Sequence, residues 1–251
     1  MTLPGHLRLA GRRFSPTLWP TLITVPTLIA LIALGLWQLE RLEWKESLIF
    51  ERQSRSQAPA AHLPDGLDQP HGLEFQAVRM RGRLLHDNEL YLAARALNGR
   101  VGLHVVTPLA LDDGRILLVN RGWIPEGRRG PATRPEGQVR GDLELTGLVR
   151  LPGWKGPTWL VPDNQPDENI WFWVDPPAMA EAAGLQSVIS EVYVDAGPAE
   201  NPGGLPVGGQ TRIELPNDHL QYALTWFALA LSLAVIYVIY HLRRDTDGDA
   251  P

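Results

Sequence analysis

Two uncharged apolar spans constrain this chain more than any other feature. Residues 17–37 and 220–240 each run for 21 residues without a charged side chain. At a rise of about 1.5 Å per residue, a helix of this length crosses a hydrocarbon core of about 30 Å. The spans therefore predict two transmembrane helices, over 17–38 and over 219–241. The first apolar run is too long for a cleaved signal peptide, and no small-residue cleavage site follows it.

Basic side chains flank the two spans on one side. They are Arg8, Arg12, Arg13, Arg243 and Arg244. The positive-inside rule then places both termini in the cytoplasm, as a segment over 1–16 and a tail over 242–251. Residues 39–218 form an extracytoplasmic domain with 18 basic and 25 acidic side chains. This negative domain excludes nucleic acid as a partner, and the lipid bilayer is the first partner that we expect.

Seven segments of the domain combine apolar β-forming residues with turn signals on either side. They are 75–85, 89–97, 101–111, 115–124, 142–151, 170–174 and 188–194. Asp113-Gly114 predicts a hairpin turn, and proline and glycine at its two ends predict a short helix over 176–184. Segments 126–141 and 196–209 predict loops. The expected fold class is membrane α+β: a two-helix transmembrane hairpin enclosing a strand-rich extracytoplasmic domain with few short helices.

The amino-acid composition excludes most kinds of catalytic site and of soft-metal site. The chain has no cysteine and only three methionines, which excludes thiolate metal sites, cysteine nucleophiles and redox motifs. No serine lies in a nucleophile-elbow sequence, so we expect no enzyme activity. Residues 163–169 offer oxygen ligands, but they lack the glycine and the terminal glutamate of a calcium loop. An ordinary turn is the favoured interpretation of that segment.

The start of the second span carries the best candidate for cofactor binding. Asp218 and Gln221 fit an N-cap and its capping-box partner, which places His219 in the first turn of the helix. The helix dipole and a partly dehydrated setting favour the neutral ring there, which is the form that binds metals. Tyr222 and Trp226 follow on the same face, along which a porphyrin fits. The alternative, favoured by spacing alone, is an aromatic belt that anchors the helix at the membrane interface.

The end of the first span carries aromatic and cationic residues at helical spacing. One stripe contains Trp37, Arg41 and Trp44. A second stripe contains Gln38, Arg41 and Lys45. The cations are suited to pair with the carboxylates of a haem. They are equally suited to reach lipid phosphates, which is the commoner role of such residues.

Four motifs resemble the surfeit locus protein family, whose members are cytochrome c oxidase assembly factors. They are GLWQLERLEWK at 35–45, NRGWIP at 120–125, PDNQPDENIWFWVD at 162–175 and LPNDHLQYALTWFALA at 215–230. The resemblance runs in order from the first helix through the second. It also marks positions within the domain without assigning them a chemical role, namely Arg121, Gly122, Trp123, Asn164, Asn169, Trp171 and Trp173.

The resemblance implies a non-enzymatic role in maturing the haem-containing subunit of cytochrome c oxidase, with haem a as a transient cofactor. The membrane histidine of the family matches His219, which would be the axial ligand of the haem iron. The implied partners are the oxidase subunit and haem a synthase. Only 16 residues precede the first span, so the expected location is a bacterial inner membrane. The alternative function is a scaffold that binds the nascent subunit and never touches haem.

A second axial ligand is left open by the sequence. His241 lies about 33 Å from His219 along the same helix, so both cannot bind one iron. The open choices are water, a partner protein, or a histidine of the domain, namely His62, His71, His86 or His104.

Overall fold

The computed structural model describes residues 7–9, 12–154, 157, 159 and 162–244. Contacts divide the chain into two units, of which the first comprises Met1–Phe50 and Glu214–Pro251 and the second comprises Glu51–Ile213. The predicted terminal segments 1–16 and 242–251 lie largely outside the described residues.

Four α-helices occur in the described part of the chain. They are α1 Leu18–Gln57, α2 Pro70–Leu73, α3 Pro176–Ala182 and α4 His219–His241. α1 and α4, with 40 and 23 residues, are long and apolar enough to cross a membrane, which confirms the two predicted apolar helices. α1 continues well past residue 38, because residues 39–57 contain helix-forming side chains and neither glycine nor proline. The second unit therefore begins later than the predicted domain boundary at residue 39.

Small side chains let α1 and α4 pack closely. Gly35 on α1 is buried, and a Cβ added to it would lie 2.5 Å from the ring of Phe227 on α4. Ala223 and Ala230 are the buried alanines of α4. Small residues at such positions let helix backbones approach, which is how helices associate in lipid. A larger side chain at position 35 would displace the Phe227 ring from this contact.

Polar side chains join the helices where α1 begins and α4 ends. The Thr17 hydroxyl lies 2.9 Å from Nε2 of His241, and the Thr21 hydroxyl lies 2.6 Å from that of Tyr237. Nδ1 of His241 donates to the Tyr237 carbonyl oxygen at 2.8 Å, so its Nε2 accepts from Thr17. Since the start of α1 meets the end of α4, the two helices are antiparallel.

Eleven β-strands are described. They are β1 Leu7–Leu9, β2 Arg12–Phe14, β3 Ala61–His62, β4 Ala77–Leu84, β5 Leu90–Leu97, β6 Arg100–Leu111, β7 Ile116–Pro125, β8 Asp142–Arg150, β9 Ile170–Trp171, β10 Tyr193–Ala196 and β11 Leu242–Arg244. β1, β2 and β11 form a small antiparallel sheet in the first unit. The other strands belong to the second unit.

Five of these strands close into a small barrel. β4 pairs with β8, β8 with β10, β10 with β7, β7 with β6, and β6 pairs back with β4. Val78, Val119 and Val149 belong to one apolar cluster of this unit. Leu118, which alternates with Val119 along β7, belongs to a second cluster with Trp171 on the other face of the sheet. The strand-rich domain with few helices is therefore confirmed.

Most predicted elements of the domain have the expected type and place. The first five predicted strands correspond to β4 through β8, and α3 occupies the predicted helix. Gly114, at φ +85°, donates to the Leu111 carbonyl oxygen at 3.0 Å in the predicted hairpin turn. Two predicted strands are wrong in extent. Segment 170–174 retains only β9, and β10 begins at Tyr193 because Val188 makes only an isolated bridge to Ile116.

A β-bulge in β7 places Arg121 in the interior. Val105 pairs with Gly122 and Val106 pairs with Asn120, so Arg121 has no partner in the register. Gly122 has φ +114°, and a Cβ there would overlap the Val207 carbonyl oxygen. Glycine is therefore required directly after the bulged arginine, which explains the glycine of the NRGWIP motif.

Buried charges are concentrated around Glu89, immediately before β5. Arg134 donates to both carboxylate oxygens of Glu89, and Nη1 of Arg121 lies 3.7 Å from one of them. Burial acts to raise the pKa of Glu89, but hydrogen bonds from His86, Arg134 and Gln138 outweigh it and lower this pKa to about 2. The carboxylate is therefore ionised in the folded chain at neutral pH.

A buried histidine makes folding sensitive to mild acid. Burial, followed by the charge of Arg95, lowers the pKa of His104 to about 4, and its Nδ1 accepts from Asn120 at 3.2 Å. The unfolded chain binds the proton near pH 6.5, so between about pH 6.5 and 4 it carries more protons than the folded chain. We expect the free energy of unfolding to fall as pH is lowered through this window, by about 3 kcal/mol from His104.

The measurement is urea unfolding of the full chain in detergent, followed by tryptophan fluorescence from pH 7 to pH 4. His104→Gln is expected to flatten the pH dependence in this window. The exposed His62→Gln is the matched control and is expected to leave the dependence intact. An equal slope in His104→Gln and in the original chain contradicts the assignment.

Candidate functional site

The structure brings two of the predicted site residues into direct contact. Nδ1 of His219, at the start of α4, lies 2.7 Å from Oε1 of Gln38 on α1. An amide oxygen only accepts, so Nδ1 carries the proton. Within the described residues Nε2 of His219 makes no hydrogen bond, and its lone pair is available to a metal. Metal-binding histidines characteristically donate their other ring N–H to an oxygen in this way.

The helix begins where the sequence predicts, but the predicted capping is wrong. Asp218 occupies the N-cap position, yet its side chain makes no capping hydrogen bond. Its φ and ψ of −94° and 9° lie outside the extended region from which an N-cap side chain reaches the first backbone N–H groups. The backbone carbonyl of Asp218 accepts from the Tyr222 N–H at 3.2 Å instead. His219 is therefore positioned by Gln38 rather than by a capping box.

The aromatic candidates lie beside this pair with large exposed faces. Trp37 on α1 is 50% exposed and Tyr222 on α4 is 56% exposed, whereas Trp226 is half-buried. Among the described residues no ring contact joins these three side chains, so the structure does not bring them together as a stack. Their exposed rings are available to a flat apolar ligand or to lipid.

The two cationic candidates, Arg41 and Lys45, differ in their side-chain contacts. The guanidinium carbon of Arg41 lies 4.3 Å from the centre of the Trp44 ring, a cation–π contact one helical turn away. Lys45 is half-buried and makes no hydrogen bond or ion pair within the described ranges. Both cations lie on the α1 stripe that begins at Gln38, so they extend away from the histidine contact by one and two turns.

The motif at residues 162–175, like the NRGWIP motif, has a structural explanation. Asn169, at φ 52°, donates to the Glu89 carbonyl oxygen at 2.8 Å and accepts from the Trp171 ring N–H at 3.0 Å. Asn164 accepts from the Phe172 N–H at 2.8 Å. Between them, the Asn169 N–H donates to the Pro166 carbonyl oxygen at 3.0 Å, in the ordinary turn that the sequence favoured over a calcium loop. No cluster of three or more metal-binding side chains occurs among the described residues.

The domain histidines are unequally available as ligands. Both ring nitrogens of His86 have hydrogen-bond partners. Nε2 lies 2.8 Å from the Val139 carbonyl oxygen, and Nδ1 lies 3.4 Å from Oε1 of Glu89. His104 is buried against Asn120. His62 and His71 are exposed. The structure therefore shows two domain histidines engaged within the barrel and two at the surface.

The fold and site define a protein whose sequence places a strand-rich domain with a closed barrel between two apolar helices, and the paired ends of these helices present a histidine nitrogen. A sequence model of the SURF1 family matches residues 25–231. The chain therefore belongs to the SURF1 family, a family of cytochrome c oxidase assembly factors, and the resemblance seen in its motifs is confirmed.

Individual relatives match along most of the chain. Surfeit locus protein 1 of Mus musculus is 38% identical over 226 residues, which cover 84% of this chain and 72% of the mouse protein. Surfeit locus protein 1 of Homo sapiens is 35% identical, covering 88% and 77% of the two chains. A SURF1-like protein of Monosiga brevicollis is 35% identical, covering 97% and 94%.

Proposed function

We propose that this chain is a membrane-anchored assembly factor that holds haem a and delivers it to the haem-containing subunit of cytochrome c oxidase. Haem a synthase is the proposed source of the cofactor. The observation that carries the proposal is the 2.7 Å contact of His219 with Gln38, which leaves Nε2 of His219 as an unused ligand nitrogen. Family membership supports the oxidase as the destination.

The residues of the helix pair fit the chemistry of haem. Haem supplies an iron that takes an axial imidazole nitrogen, a flat apolar ring and two carboxylates. Nε2 of His219 is the nitrogen, while the exposed rings of Trp37 and Tyr222, together with Trp226, offer flat apolar surface. Arg41 and Lys45 are the cations for the carboxylates.

Membrane insertion is the second part of the proposal. Most large apolar side chains of α1 and α4 are exposed, from Trp19 near the start of α1 to Tyr240 near the end of α4. Lipid covers such surfaces at no cost in hydrophobic free energy. The basic residues beyond both spans support cytoplasmic termini, with the barrel on the opposite side of a bacterial inner membrane.

The topology is tested by labelling introduced cysteines, because the chain has none of its own. Glu181→Cys, at an exposed position of α3, is expected to react with a membrane-impermeant maleimide in intact spheroplasts. Thr246→Cys, beyond the second span, is expected to react only after the membrane is opened. The reverse pattern contradicts the proposed topology.

Arg41 and Lys45 are expected to contribute to haem retention through its carboxylates. Two exposed ion pairs together contribute on the order of 1 kcal/mol, so Arg41→Gln with Lys45→Gln should weaken haem affinity about fivefold. The measurement is haem titration of the purified protein in detergent. Arg81→Gln with Arg83→Gln, on the exposed face of β4, removes the same charge and should have no effect. Unchanged affinity in the first variant assigns the two cations to lipid anchoring.

His219 is expected to be the axial ligand. His219→Gln keeps an amide that can hydrogen-bond to Gln38 but lacks a ligand nitrogen, so haem occupancy should fall about tenfold or more while membrane insertion is retained. The absorption band of any residual haem should shift, because the axial ligand sets the electronic state of iron. His71→Gln is the matched control at an exposed histidine. Full occupancy with an unshifted band in His219→Gln contradicts ligation and favours the scaffold function.

A further inference from the structure

We propose that Gln38 is a positioning residue that selects the ring tautomer of His219, so that Nε2 is the unprotonated nitrogen. The proposal rests on the haem-binding function for its purpose, but its geometry stands in the protein alone. Nδ1 of His219 and Oε1 of Gln38 are 2.7 Å apart, a short distance for an N–H···O hydrogen bond. With Oε1 toward the ring, as the structure has it, the contact requires a proton on Nδ1, because an amide oxygen only accepts.

The contact selects between two otherwise accessible states of the ring. Neutral imidazole carries its proton on either nitrogen, and only the form protonated at Nδ1 offers Nε2 to a metal. A hydrogen bond of ordinary net strength favours that form about fivefold. Gln38 therefore raises the fraction of His219 that is ready to bind before any ligand arrives.

The close helix packing one turn away holds the two side chains at this distance. Gly35, against the Phe227 ring, lies three residues before Gln38 on α1. Ala223, which is buried, lies four residues after His219 on α4. Residues at these spacings share a helix face, so the small-residue contacts and the Gln38–His219 contact lie along one seam. The distance between the two polar side chains is thus set by packing rather than by the side chains themselves.

The choice of an amide also sets the strength of the iron bond. A carboxylate at this position would withdraw the Nδ1 proton more strongly and make Nε2 a stronger donor, whereas a neutral amide polarises the ring only mildly. A protein that must release its cofactor benefits from the weaker donor. Gln38 would thus orient His219 while leaving Nε2 a moderate donor, from which a bound haem could be released.

The first experiment uses the haem-free full chain in detergent with ¹⁵N-labelled histidine. The His219 signals are assigned by their loss in His219→Ala, and the ¹⁵N shifts report which ring nitrogen carries the proton. We expect Nδ1 to be protonated in the original chain and both tautomers to appear in Gln38→Leu. Gln221→Leu, the same change at an exposed position of α4, should leave the spectrum unchanged. Protonation at Nε2 in the original chain, or an unaltered tautomer in Gln38→Leu, overturns the proposal.

The second experiment separates positioning from a purely structural role. With haem a bound, Gln38→Leu should weaken affinity about tenfold or more. Gln38→Glu should strengthen affinity and lower the midpoint potential of the iron, a change that mere loss of helix packing does not produce. Equal affinity and potential in Gln38→Glu and the original chain overturn the proposal.

The two proposals fail in different ways. If His219→Gln loses haem while both Gln38 variants behave as the original chain, Gln38 has no positioning role and the haem function stands. If His219→Gln retains haem, the axial-ligand assignment fails, and the tautomer measurement on the haem-free protein still decides what Gln38 does.

Discussion

Close packing between α1 and α4 is the constraint on which the proposed site depends. In the membrane setting that we propose, each helix satisfies its backbone hydrogen bonds internally, and no hydrophobic effect draws one helix to the other. Association then relies on contacts that small residues permit, and Gly35 against Phe227 is such a contact. The Thr17–His241 and Thr21–Tyr237 hydrogen bonds hold one end of the pair, and Gln38–His219 joins the other. Polar contacts at both ends fix the register of the helices.

Polar and charged side chains have different roles in the barrel domain and in the helix pair. In the second unit, the unusual side chains serve the fold: Arg121 occupies a bulge of the barrel, Glu89 is held by arginines, and Asn169 shapes a turn. At the helix pair, Trp37, Tyr222 and Arg41 are exposed, and one histidine nitrogen is left without a hydrogen bond among the described residues. The helix pair thus combines an unused histidine nitrogen with exposed aromatic and cationic side chains among the described residues.

The features that could be predicted from the sequence are those with a local signature. The two spans follow from the absence of charge over 21 residues, and β4 to β8 follow from apolar β-formers between turns. The closure of β6 onto β4 and the bulge at Arg121 depend on pairings between distant segments, which no local pattern records. The change from apolar to charged residues after position 38 marks a change of environment and not the end of a helix, so α1 continues to Gln57. The sequence groups Gln38 with the predicted site residues by its spacing on α1, but its contact with His219 joins residues 181 positions apart.

The most direct test is chemical rescue of the ligand nitrogen. His219→Gly removes the imidazole ring and leaves space for a free imidazole molecule beside Gln38. If Nε2 of His219 binds the haem iron, the variant should lose haem a, and added imidazole should restore both its occupancy and the absorption spectrum of the original protein. Haem binding by His219→Gly without imidazole, or a loss that imidazole does not reverse, would contradict the claim that this histidine binds the iron.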